Sequence, residues 1–462
     1  MPPNPKKQWT VLVYLAGDNS LDLAGVADLT EMKRVGSTPD VDVVAQFDRR
    51  GTARATTRYH LARGTPLERD AVGVLGETDT GDPAVLREFL KWGIKTYPAR
   101  HYLAVVWNHG NGWDDENVYR LARDELELDV RRRAEVVAPA GPGPARTVSV
   151  RRIRTVAGRF RRALFRTPLE EGVRMRGIAY DDNAKDFLDN VELKNVLTSV
   201  RRTLGRGIDV LGMDACLMSM AEVAYQLRGS VDYVVGSEET EPSEGWPYDT
   251  ILRALARRPE MTPAQLAALI VDRYVAFYAD DAQVTQSACD LSRSDTLAHA
   301  VDVLGEALGE GFATPAVRAA VLQARARAQT YEVQDYVDLY DFCALLAADD
   351  GARELRAACR GVIDAVGRFV VRAGYKGRDV AGSHGLSIYF PQKTVSPLYR
   401  RNLDFAARTS WLAFLEAYTS NNNRRTAPRE RAVAAERVSD VRPAAERGAR
   451  TVRRRRAPTL SA

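Results

Sequence analysis

The chain has 462 residues, of which 45% are hydrophobic and 27% charged, the balance of a globular protein with room for a large core. Its four cysteines, Cys216, Cys289, Cys343 and Cys359, match neither a disulfide framework nor a zinc site in their spacing. No apolar run is long enough to span a membrane, and the start of the sequence lacks the apolar core of an export signal, so the expectation is a cytoplasmic protein with no membrane role.

The net charge of +5 is unevenly spread. Residues 131–176 carry 13 arginines against three glutamates, a net of +10. Residues 421–462 carry 12 arginines against four acidic residues, a net of +8, leaving −13 on the remainder. An acidic body flanked by basic segments suits a basic substrate.

In chain order, Trp9 to Ala16 reads as a buried strand, followed by a Gly-Asp-Asn-Ser turn and a helix from Leu21 to about Lys33 with Ser20 as its cap. Val41 to Phe47 is a second strand and Thr56 to Leu61 a third. Asp82-Pro83 opens a helix to about Tyr97, with proline at its first position. Tyr102 to Trp107 is a continuous apolar run, the pattern of a strand buried in a parallel sheet, and His109 lies just beyond it. From about 114 to 176 the alternation stops. A Pro/Gly run and many arginines predict a long exposed loop, with a basic helix as an option over Val150 to Phe165. A short strand near Gly177 to Asp182 and a helix from Leu193 to Leu204 lead to the apolar strand Ile208 to Met213. Asp214, Ala215 and Cys216 stand at its carboxyl end, before a helix from Met218 to Leu227.

Strands alternating with helices predict an α/β core with a mostly parallel sheet covered on both faces, over residues 1–250. Residues 251–420 read as a mainly helical region packed on that core, including helices over 336–348 and 353–373. Residues 421–462, basic and without aromatics, read as a disordered tail. The tail's composition limits nucleic-acid contact to non-specific phosphate attraction.

Ligands of open α/β sheets bind outside the carboxyl ends of the strands. A thiol and an imidazole delivered there by two strands form a coherent nucleophile and base, Cys216 and His109. Acyl transfer also needs donors for an oxyanion, for which the backbone N–H groups of Gly110 and Cys216 are candidates. On an extended segment, Asp214 points the same way as Cys216. Its carboxylate either lines a pocket beside the thiol or caps the following helix. The acidic loop Gly236 to Tyr248 follows the next strand. Glu238 and Glu239 in it are candidates for a negative field, and Trp246 for covering a bound side chain.

Asn108-His109-Gly110 after one apolar strand and Asp214-Ala215-Cys216 after another resemble the clostripain family of cysteine peptidases, which groups with caspases, gingipains and legumains. Trp9 to Asn19, Gly236 to Tyr248 and Gly385 to Pro391 resemble it too, in the same order along the chain. The resemblance implies a caspase-like fold and an endopeptidase acting through a His109/Cys216 dyad. It implies that Asp214 binds the residue before the scissile bond, arginine or lysine, and that the chain is cut within its Arg-rich loop on maturation. Its substrates would be proteins or peptides carrying Arg or Lys. The resemblance leaves calcium open, but no calcium loop is readable, and the expectation is a site without cofactor. The alternative is an inactive peptidase-like scaffold that binds through its basic tail.

Overall fold

The computed structural model describes residues 6–19, 21–51, 55–108, 110–113 and 188–422. Its centre is a nine-stranded sheet. In chain order the strands are β1 (Lys7–Gly17), β2 (Val41–Arg49), β3 (Thr57–His60), β4 (Ala71–Val74), β5 (Ala99–Trp107), β6 (Ile208–Asp214), β7 (Val231–Gly236), β8 (Val284–Asp290), β9 (Tyr336–Asp338), β10 (Val370–Lys376) and β11 (Ser387–Tyr389). The large sheet runs β10-β8-β7-β6-β5-β1-β2-β3-β4, and β9 pairs with β11 in a separate small one.

The five inner strands, β2-β1-β5-β6-β7, are mutually parallel. Antiparallel strands complete both edges. The inner strands are buried on both faces, which is why β1, β5 and β6 read as unbroken apolar runs. Side chains alternate between two cores. Trp9, Val11 and Val13 of β1 pack with Leu29, Ile251 and Ile270 from the helices on one face. Leu12 and Tyr14 pack with Phe89, Val196 and Val223 on the other, and that core continues into the C-terminal helices.

Local signals set the helix ends. Asp82 accepts the Ala84 N–H at 2.7 Å and Pro83 begins the helix Pro83–Thr96. Asp189 and Glu192 form a capping box that starts the next helix at Asn190, three residues earlier than the apolar pattern indicates, and Gly205 ends it in the left-handed region.

Several expectations need correction. The helix after Cys216 begins at Ala221, because the Met220 N–H turns back to the Met218 carbonyl at 3.0 Å and Met220, itself extended, bridges to Ser387. The first helix is Asp22–Val35 with Leu21 before it; Ser20 lies outside the described residues. The helix expected over 336–348 opens as β9 and turns helical at Leu339, capped by Asp338. The one expected over 353–373 ends at Phe369 and continues as β10. β8 and β10 both extend the main sheet, so the region beyond residue 251 shares that sheet rather than only packing on it. The Arg-rich stretch, the strand expected at 177–182 and the basic tail lie outside the described residues.

Candidate active site

β5 and β6 are neighbours, paired in register from Leu103↔Val210 to Trp107↔Asp214. The Asn108 N–H then donates to the Asp214 carbonyl at 3.3 Å. The residues that follow these strands therefore meet at one sheet edge. His109 itself lies outside the described residues. A methyl group on Gly110 would collide with the Cys216 carbonyl oxygen and stand 2.8 Å from its nitrogen, so only glycine lets the two segments lie in contact. Gly112, at φ +64°, is as close: a methyl there would be 2.6 Å from the Met220 sulfur and 3.0 Å from the Leu217 carbonyl.

Cys216 occupies a tight turn. Leu217, directly after it, has φ +63°, a left-handed conformation that costs a branched side chain about 1 kcal/mol or more. Cys216 is 5% exposed. Burial pushes its thiol up, and the backbone N–H groups of Glu241 and Gly110 push back by favouring the thiolate. The Glu241 N–H reaches the sulfur at 3.2 Å. The backbone of Gly110 and of Cys216, the residues expected to donate to an oxyanion, also lowers the thiol against that burial.

Next to the thiol is a buried acidic cluster. Asp214 accepts the Tyr248 hydroxyl at 2.7 Å and the Trp246 N–H at 3.4 Å. Burial pushes it up to about 6, against the hydrogen bonds from Glu241, Tyr248 and Trp246. Burial, then the Asp214 charge, push the Glu241 carboxyl well above the usual carboxylate range. Asp28 accepts the Trp107 indole N–H at 2.7 Å and is pushed up to about 9 by burial, then by Asp214. A methyl on Gly245 would lie 3.3 Å from Asp214 Oδ1 and 3.6 Å from Asp28 Oδ2, so the two carboxyls face each other across that residue. Among the described residues, no lysine, arginine or histidine pairs with any of the three. Glu241 Oε2, Gln286 Oε1 and the Tyr274 hydroxyl are buried without a hydrogen-bond partner there. Unpaired polar atoms thus lie beside buried carboxyls that have no cationic partner among the described residues.

The expected site residues sort unevenly. Cys216, Gly110 and Asp214 come together. The Glu239 carbonyl accepts the Leu217 N–H at 3.1 Å, and its carboxylate accepts the N–H groups of Thr240 and Glu332, at 2.7 and 3.1 Å. Glu238 turns away: its carboxylate accepts the Tyr331 hydroxyl at 2.7 Å and the Gly385 N–H at 3.0 Å, inside the C-terminal region. Trp246 is 1% exposed and its ring packs against Gly212 of β6, so it belongs to the core rather than over a bound side chain. Asp28 and Glu241, which stand beside Asp214, went unread in the sequence. Asp28 left one trace, an acidic residue on the buried stripe of its helix with Gly25, Leu29 and Met32. Among the described residues, no group of three His, Cys, Asp or Glu side chains is arranged to hold a metal, and no helix is long and apolar enough to cross a membrane.

Comparison with known proteins places the chain in a family. A model of the clostripain family matches residues 13–126 and 168–418. The chain belongs to the clostripain family. It is 24% identical over 277 residues to clostripain of Hathewaya histolytica, a match covering 54% of this chain and 42% of that protein. The chain thus spans less than half the length of that relative. Two solved structures share the fold at 19% identity and a TM-score of 0.58, each covering 88% of this chain and 99% of the other. One is a secreted C11 cysteine protease from Bacteroides thetaiotaomicron in complex with an irreversible peptide inhibitor. The other is an inactive zymogen C11 protease from Parabacteroides distasonis.

Proposed function

We propose that this protein is a cysteine endopeptidase that cleaves after arginine, and less readily after lysine, through Cys216 and His109. The observation that carries the proposal is the thiol of a strained turn standing beside buried carboxyls that have no basic partner. A guanidinium supplies five N–H donors in a fixed fork and an ammonium three, so arginine satisfies Asp214, Glu241 and Gln286 more completely.

His109 takes the Cys216 proton, and the thiolate attacks the scissile carbonyl carbon. The carbonyl oxygen becomes an oxyanion facing the backbone N–H groups of Gly110 and Cys216. The C–N bond breaks as His109 returns the proton to the leaving amine, leaving a thioester. Water, deprotonated by His109, hydrolyses it and restores the thiol. The Arg-rich segment 131–176 would supply an internal substrate for the same site. Its charge opposes that of the body, and the family match leaves residues 127–167 unmatched.

Cys216→Ala and His109→Ala should each lower kcat on a peptidyl-arginine amide by on the order of a thousandfold or more, since members of such a unit fail together. Turnover unchanged in either variant would refute the dyad.

A further inference from the structure

The small sheet touches both halves of the site. β11 reaches the nucleophile side. The Ser387 N–H donates to the Ser219 carbonyl at 3.0 Å, and the Ser387 hydroxyl donates to the same oxygen at 3.1 Å. Glu222, just beyond, accepts the Tyr389 N–H and the Tyr399 hydroxyl, both at 2.9 Å.

β9 reaches the histidine side. The Tyr336 hydroxyl donates to the Asn111 carbonyl at 2.7 Å, two residues from His109. The Tyr336 ring is also where a methyl on Gly112 would land, at 2.7 Å. Trp113 completes the contact, edge-on to Tyr389 and Tyr399 at centroid separations of 4.5 and 4.8 Å. Tyr336 and Tyr389 are opposite each other in the β9–β11 ladder. One strand pair therefore grips the segment after Cys216 and the segment after His109 together.

We propose that β9 and β11 hold the segment Gly110 to Trp113 against the turn after Cys216, with Tyr336 and Trp113 as positioning residues for the segment that follows His109 and Ser387 for the nucleophile turn. The proposal rests on reading Cys216 and His109 as the catalytic pair. The physical need is plain. Pairing between β5 and β6 ends at Trp107 and Asp214, so Cys216 and the segment Gly110 to Trp113 lie beyond the ladder, on loops that are otherwise the mobile part of a fold. Proton transfer and attack tolerate errors well under an ångström. The Tyr336 hydroxyl meets a main-chain carbonyl and Trp113 meets other rings, so neither takes part in bond making. A long-range clamp also accounts for the C-terminal half being part of the peptidase rather than an appendage.

Tyr336→Phe is the sharpest probe, since it removes one hydroxyl and keeps the ring. Its kcat on a peptidyl-arginine amide should fall on the order of 10-fold with KM unchanged. Alkylation of Cys216 by iodoacetamide, with Cys216→Ala protein as the blank, should move its pH midpoint upward as the thiol loses its imidazole partner. Trp113→Phe should do the same, and Glu222→Leu should fall further than Glu222→Gln, which keeps an acceptor for both donors. A Tyr336→Phe protein whose kcat and alkylation profile both match wild type would overturn the clamp. So would a loss of kcat that follows a loss of thermal stability while the alkylation midpoint stays put. The alkylation profile is read without turnover. A wild type that shows a paired thiolate but leaves arginyl peptides intact refutes the substrate assignment and still tests the clamp.

Discussion

In the proposed reading, Asp214 is the residue on which specificity turns. Its carboxyl is pushed up to about 6, chiefly by burial, so it carries its charge above that pH and loses it below. Capture of a cationic side chain follows that charge. The kcat/KM for arginyl substrates should therefore decline as pH falls through about 6, and a substrate with norleucine in place of arginine should show no such decline. Asp214→Asn should abolish the difference between the two substrates. Removing the charged partner of a desolvated guanidinium costs on the order of 2–5 kcal/mol. Equal kcat/KM for the two substrates in the wild type would remove Asp214 from the pocket. Cys216 and Asp214 were legible because both sit at the end of one apolar run. Asp28 and Glu241 were not, because chain turns far apart in sequence bring them to Asp214. Glu238 and Glu241 occupy the same acidic loop, and only the loop's path sends Glu241 to Asp214 and Glu238 to Tyr331.

Among the elements, the short helix Ala221–Leu227 carries an unusual load, since all seven of its residues are buried and one is Glu222. The Glu222 carboxyl is raised from 4.5 to about 7, first by burial. Between those values the folded chain holds a proton that the unfolded chain has released, so stability falls as pH rises through that window. Glu222→Gln should thus gain thermal stability relative to wild type at pH 8, on the order of a few kcal/mol, and little at pH 5. Melting curves at the two pH values check it, and an equal shift at both would contradict the assignment. Elements buried on both faces, such as β1, β5 and β6, were readable from their composition. The edge strands were not. β4 is largely exposed and β10 alternates weakly after a helix, so neither carries the period of a core-facing strand.

At the scale of the whole molecule, the nine-stranded sheet brings together segments that the sequence separates widely. β5 and β6 pair across the Arg-rich stretch, so a chain cut within it keeps its core intact. An acidic body and a basic internal segment attract at low salt. The wild type should then appear by intact mass as two associated fragments broken after an arginine in 131–176, and Cys216→Ala as one chain. The same spectra test the central claim most directly when the Cys216-containing chain is first exposed to a peptidyl-arginine halomethyl ketone. The account predicts one inhibitor mass added, mapped to Cys216, and no addition from the norleucine analogue under the same conditions. No adduct at Cys216, or equal labelling by both ketones, would contradict it.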